Sequence, residues 1–129
     1  MPNRSAKQLV AEANAVVESL AAEDAVKLIG RPGVVFVDVR EPAELTNSGA
    51  VRGALNVPRG LLEFQVDPES STHRPEVTGA SRLVLYCGSG ARSALAARTL
   101  QDMGVENVVH VPGGFAALKA AGAPLENQA

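Results

Sequence analysis

The sequence predicts an α/β domain built on a mainly parallel sheet. Two observations carry this. Short strand-like runs, VVFVDV (34–39), RLVLY (82–86) and NVVHV (107–111), alternate with stretches of helical spacing. VVFVDV is also a continuous β-branched and aromatic run, as a strand buried on both faces of a parallel sheet should be. The 129 residues suffice for one domain with its own core, and they contain no internal repeat. With no Trp, one Tyr and three Phe, that core must consist mostly of Val, Leu, Ile and Ala.

Taken in order, SAKQLVAEANA (5–15) reads as helix. Ser5 and Gln8 have the spacing of a capping box, and the alanines favour the helical state. So short a helix does not persist alone, so it must dock on the domain or fray. Residues 1–15 are therefore assigned as an N-terminal arm, 16–125 as the domain and 126–129 as a C-terminal tail. Val16 to Leu20 reads as a short strand. AAEDAVKLI (21–29) places Ala22, Val26 and Ile29 at helical spacing and is stopped by Gly30 and Pro32. EPAEL (41–45) is a short helix with Pro42 in its first turn, and ALNV (54–57) is another short strand. Residues 58–80 are rich in Pro, Ser, Asp and Glu and predict a long loop with a helical turn or two at GLLEF (60–64); such loops often act as lids. RSALAARTLQDM (92–103) is a helix with Leu95, Thr99, Leu100 and Met103 on one side, ended by Gly104. After PGG (112–114), FAALKAA forms a last helix stopped by Gly122 and Pro124.

Charge and cysteine content narrow the function. The formal charge is −2, without the basic excess of a nucleic-acid binder. One cysteine cannot form an internal disulfide, and with two distant histidines it cannot build a structural zinc site, so neither metal nor cofactor is expected. A free thiol fits a reducing compartment. Lys7, Glu12 and Glu18 interrupt any signal-like apolar stretch, and no run approaches membrane-spanning length, which predicts a cytoplasmic protein with no membrane partner.

The chemistry is concentrated in YCGSGARS (86–93). A lone cysteine is by itself a small core hydrophobe, and a Gly-rich turn between strand and helix is by itself a general anion cradle. Their combination is specific. Cys87 sits at the carboxyl end of a strand, where open α/β sheets bind ligands. Gly88, Ser89, Gly90 and Ala91 are small enough for the chain to curl, so successive N–H groups point inward as a nest. The following helix contributes its positive end, and Arg92 a full charge. All three favour thiolate over thiol, which predicts an ionised, partly exposed nucleophile. Ser89 and Ser93 are candidates to hydrogen-bond the sulfur or cap the helix.

YCGSGARSALAARTLQDMG resembles the active-site loop and following helix of rhodanese-like sulfurtransferases. VVFVDVREPAEL resembles the strand of that family ending in Asp-x-Arg, SGAVRGALNVP its Gly-His-Ile-x-Gly-Ala-x-x-x-Pro segment, and VPGGFAALKAAGAP its closing Gly-Gly, helix and Gly-x-Pro. The likeness spans about residues 17–125. It implies a three-layer rhodanese-like fold, with about five mainly parallel strands and helices on both faces. It further implies sulfur transfer: Cys87 takes the outer sulfur of a small anionic donor such as thiosulfate or 3-mercaptopyruvate, the N–H groups of residues 88–92 hold the persulfide, and cyanide, a thiol or a protein accepts it. The alternative is a module that relays persulfide sulfur or binds a partner, with little turnover of small donors. Cys87 to Arg92 spans six residues, one fewer than in the related phosphatases and arsenate reductases, which leaves less room for a tetrahedral oxyanion.

The supporting residues follow from the same resemblance. Asp38 and Arg40 match Asp-x-Arg and are expected to brace the active loop. Ala50 replaces the usual His, and Ala117 stands where the family often has Trp after Gly-Gly. Arg59, Phe64, His73 and Arg74 are candidates for the pocket entrance, where basic groups would attract an anionic donor. Glu44 is expected to be a solvated charge. His110, in an apolar strand, is expected to be a satisfied core histidine and is given no role.

Overall fold

A computed structural model describes residues 1–127. The three apolar runs become its central strands, β2 (Val34–Asp38), β5 (Arg82–Tyr86) and β6 (Val108–His110). The short strands β1 (Glu18–Ser19) and β4 (Leu55–Asn56) complete a five-stranded sheet in the order β1-β6-β5-β2-β4, parallel throughout. Parallel neighbours require crossover connections, and helices supply them on both faces. The fold class is thus the α/β, three-layer arrangement expected.

Strand periodicity sorts the core into two layers. Val37, Leu83, Leu85, Cys87 and Val108 point to one face, against Ala96, Ala97 and Leu100 of α6 (Ala91–Asp102). Phe36, Val84, Tyr86 and Val109 point to the other, against Ala22 and Ala25 of α2 (Ala22–Val26) and Phe115 and Leu118 of α7 (Gly114–Ala120). The buried alanines of α6 leave no bulk between helix and sheet, so its first turn comes down close to the end of β5.

The N-terminal segment is helix α1 (Ala6–Val16), with both bonds of the Ser5–Gln8 capping box formed. It docks rather than frays: Ala13 is buried, and Gln101 of α6 donates to the Val16 carbonyl at 3.0 Å. The helix runs one residue past the expected boundary at 15. The expected tail also begins inside an element. Ala50–Val51 (β3) pairs antiparallel with Leu125–Glu126 (β7), a two-residue ladder too short for any periodicity to announce. Residues 128 and 129 of that tail lie outside the described residues.

The stretch 58–80 is more structured than a lid. A 3₁₀ turn (Arg59–Leu61), α4 (Leu62–Val66) and α5 (Pro75–Thr78) bury Leu62, Val66 and Val77 in the α6-side core, leaving irregular chain chiefly between the two helices. Its polar composition reflects the outer surface of a packed crossover.

At the carboxyl end of β2, α3 (Pro42–Ser48) begins after a buried ion pair. Asp38 and Arg40 are 0% and 3% exposed and meet at 2.8 Å. Rather than engaging neighbours separately, they bond each other: Arg40 donates to both Asp38 carboxylate oxygens through Nε and Nη2. Its remaining N–H groups reach Ser48 Oγ at 2.9 Å and the Gly49 carbonyl at 2.8 Å, and its guanidinium lies 4.2 Å from the Phe115 ring centroid. One side chain thereby ties β2, the end of α3 and α7 together. Arg40→Met would leave the Asp38 carboxylate buried without its partner. It is expected to cost about 3–5 kcal/mol in urea denaturation; a loss below about 1 kcal/mol, the worth of a surface pair, would contradict this role.

Candidate active site

Cys87 follows the last residue of β5, and side-chain alternation directs it toward α6. It is 1% exposed, whereas the sequence predicted a partly exposed sulfur. The reason is the close approach of two helix starts. Gly90, the N-cap of α6, has φ +109°, and a Cβ there would stand 3.0 Å from the Gly113 nitrogen. Gly114, which opens α7 with φ +56°, lies so close that a Cβ would overlap the Cys87 carbonyl oxygen and come within 2.8 Å of the Gly88 carbonyl. The Phe115 N–H then donates to the Cys87 carbonyl at 2.7 Å. The Gly113–Gly114 pair thus roofs the loop with backbone alone.

Inside this enclosure the sulfur accepts N–H bonds from Gly90 at 3.1 Å and Ser93 at 3.3 Å, with Ser93 Oγ at 3.6 Å. These groups are free to serve it because the first N–H groups of a helix have no partner within it. Burial pushes the thiol up. The Ser93 hydroxyl and the backbone N–H groups of Ser93, Gly90 and Ser89 pull it down more strongly, so the net direction is toward the thiolate. The N–H bonds to the resting sulfur come from Gly90 and Ser93.

Arg92 is not a free charge. Its guanidinium grips Glu44 of α3 with two bonds, at 2.8 and 3.0 Å. That contact holds the Glu44 carboxyl below its usual range, and Glu44 also accepts the Glu41 N–H at 2.8 Å at the start of α3. Glu44, expected as a solvated charge, instead clamps the loop to α3. The clamp was hidden from sequence because its partners are 48 residues apart.

Three of the four candidate entrance residues have other side-chain partners. Arg59 bonds Glu63 at 2.9 Å and Thr99 of α6 at 3.0 Å, His73 bonds Thr78 at 3.0 Å, and Arg74 pairs with Glu76 at 3.5 Å. Phe64 is 61% exposed. Among the described residues, none of the four has a hydrogen bond or ion pair to residues 87–93.

Sequence reasoning left one arrangement unread. His110, on β6, is fully buried, and its Nδ1 lies 3.1 Å from Ser93 Oγ while its Nε2 lies 2.9 Å from Asn14 Oδ1 of α1. Parity with Val108 in NVVHV was the available signal for the α6 face; nothing local announces Asn14, 96 residues away. A cleft of about 240 Å³ is lined by Asn14 and His110 together with Val10, Ser89, Gly90, Ala91, Pro112 and Gly113. A larger cavity of about 380 Å³, bordered by Val66, Leu83 and Val105, opens beside the start of β5, away from Cys87. The described residues contain no cluster suited to a metal ion and no helix long and apolar enough to cross a membrane.

Comparison with known proteins agrees with this geometry. A Rhodopseudomonas palustris protein of unknown function, described as a possible tyrosine phosphatase, superposes with a TM-score of 0.92 at 42% identity, over 98% of this chain and 97% of its own. The thiosulfate:glutathione sulfurtransferase of Saccharomyces cerevisiae is 34% identical over 106 residues, covering 77% of this chain and 76% of the yeast protein. An uncharacterized Synechocystis protein is 33% identical over 106 residues, 82% of this chain, but this chain spans only 54% of its length. The family model for the rhodanese-like domain matches residues 21–121, which contain the Cys87 loop, Asp38, Arg40 and the Gly-Gly roof. The chain belongs to the rhodanese-like family.

Proposed function

We propose that the protein is a sulfurtransferase that carries sulfane sulfur on Cys87. The observation behind this reading is a single buried sulfur that accepts N–H bonds from the first turn of a helix and is drawn toward the thiolate. The thiolate attacks the outer sulfur of thiosulfate or a similar donor. A sulfur–sulfur bond forms at Cys87, the donor's own sulfur–sulfur bond breaks, and sulfite leaves with the electron pair. The same amides that hold the thiolate suit the terminal charge of the persulfide. A thiophilic acceptor, cyanide or a thiol, then attacks the outer sulfur and returns Cys87 to the thiolate. Charge and electrons balance in both steps, so no cofactor is required. The name of the yeast relative supports this donor and acceptor class.

The enclosure also bears on access. With the sulfur covered and Arg92 held by Glu44, the loop offers a donor its exposed Ser89 and Ala91 and the partly exposed Gly88. Asp38 and Arg40 act beneath the site as supports, not as groups that meet the substrate.

Incubation with thiosulfate followed by mass spectrometry of the intact protein is expected to show the gain of one sulfur atom in the wild type and none in Cys87→Ser. Addition of cyanide should remove it with formation of thiocyanate. Steady thiocyanate production supports an enzyme, and a single turnover followed by arrest supports a relay module. Absence of sulfur gain, or hydrolysis of p-nitrophenyl phosphate in its place, would overturn the sulfur-transfer reading.

The direction of the Cys87 shift gives a second expectation. Hydrogen-bond donors favour the thiolate, so removing one raises the pH at which it forms. Ser93→Ala should therefore slow iodoacetamide labelling at pH 6 by about tenfold, with the two rates converging at alkaline pH where both sulfurs are ionised. Equal rates at pH 6 would show that the hydroxyl does not act on the sulfur.

A further inference from the structure

Burying a thiol that must ionise raises a question the sulfur-transfer reading leaves open: where its proton goes. Cys87 is 1% exposed, so the proton-accepting groups nearest to it belong to the protein. One chain of polar atoms leads away from it. Ser93 Oγ is 3.6 Å from Cys87 Sγ, His110 Nδ1 is 3.1 Å from Ser93 Oγ, and His110 Nε2 is 2.9 Å from Asn14 Oδ1. Its far end, His110 and Asn14, lines the cleft between α1 and the active loop.

The protons on this chain follow from valence. The Asn14 carboxamide oxygen only accepts, so His110 Nε2 must carry a hydrogen. In a neutral ring Nδ1 is then bare and faces Ser93 as an acceptor. We infer that Ser93, His110 and Asn14 form a proton relay that ionises Cys87, with Ser93 as the contacting donor and acceptor and with His110 and Asn14 as positioning residues behind it. The sulfur–hydrogen bond of Cys87 breaks as an oxygen–hydrogen bond forms on Ser93. Ser93's original proton passes to His110 Nδ1. The products are a thiolate and an imidazolium; Nδ1–H donates to Ser93, Nε2–H donates to Asn14, and the hydroxyl is turned to the sulfur. No atom or charge is gained or lost, and no buried donor is left unpaired.

The ionisable groups on surrounding elements do not compete for His110. Glu18 of β1 pairs with Arg82 of β5, Glu12 of α1 with Arg4, and Arg92 and Arg98 of α6 with Glu44 and Asp102. Lys7, two turns before Asn14 on α1, is exposed. Burial alone holds the ring below its usual range, so it starts neutral, and the charge it takes up is stabilised by the thiolate formed with it.

The inference rests on the sulfur-transfer reading only for its purpose, and iodoacetamide labelling tests it without any sulfur donor. His110→Asn is the decisive variant, since its side-chain oxygen can still accept from Ser93 but cannot take up a proton. Labelling of His110→Asn at pH 6 is expected to fall by about tenfold or more, and that of Asn14→Ala by less, because a lost opposite charge disfavours the thiolate. Nitrogen NMR of His110 supplies the second readout. In the wild type Nδ1 should keep its proton through the pH step that creates the thiolate and lose it only at higher pH, and in Cys87→Ser that loss should move to lower pH. A His110→Asn labelling profile that overlies the wild type, or a His110 titration unchanged by Cys87→Ser, would overturn the relay whether or not thiosulfate loads the protein.

Discussion

The site depends on a balance between burial and donated hydrogen bonds at one sulfur. The alternation of β5 carries Cys87 into the layer between sheet and α6, where a charge loses the stabilisation of water. The N–H groups at the start of α6 offset that loss, because the helix itself cannot use them. The need for main-chain donors around a small sphere dictates much else. The loop must be short and lack bulk at Gly88 and Gly90, the helix must begin at once, and α7 must press its own glycines onto the loop to keep the enclosure closed.

Two ion pairs extend this enclosure into the body of the protein. Arg40, fixed by Asp38, holds the end of α3 through Ser48 and Gly49. Arg92, at the start of α6, holds the middle of α3 through Glu44. The short helix α3 is therefore a strap between β2 and the active loop, fastened at both contacts. The pairs differ in depth: Asp38–Arg40 is sealed beneath the sheet's end, while Arg92–Glu44 remains partly in water and accessible to a passing anion.

Legibility in the sequence followed the range of the interactions. The central strands, the α6 helix and the Cys87 loop were readable because each is written in consecutive residues: β-branched runs, helical spacing and a cysteine followed by small residues. The Ser5–Gln8 box was local in the same way, and it formed. What escaped depends on partners far apart along the chain. The burial of Cys87 comes from Gly113 and Gly114, the neutralisation of Arg92 from Glu44, and the engagement of His110 from Ser93 and Asn14. The crossover at 58–80 is legible only in part: the helical turns at GLLEF form, but its apolar anchors Leu62, Val66 and Val77 lie amid polar residues that dominate its composition.

An anionic Cys87 held inside the protein would show in the thiolate's own ultraviolet absorbance. The difference in that absorbance between the wild type and Cys87→Ser, followed as pH is lowered on the folded protein, should persist well below the range in which free thiols gain their proton. Collapse of the difference within the ordinary thiol range, with the fold intact, would contradict the account.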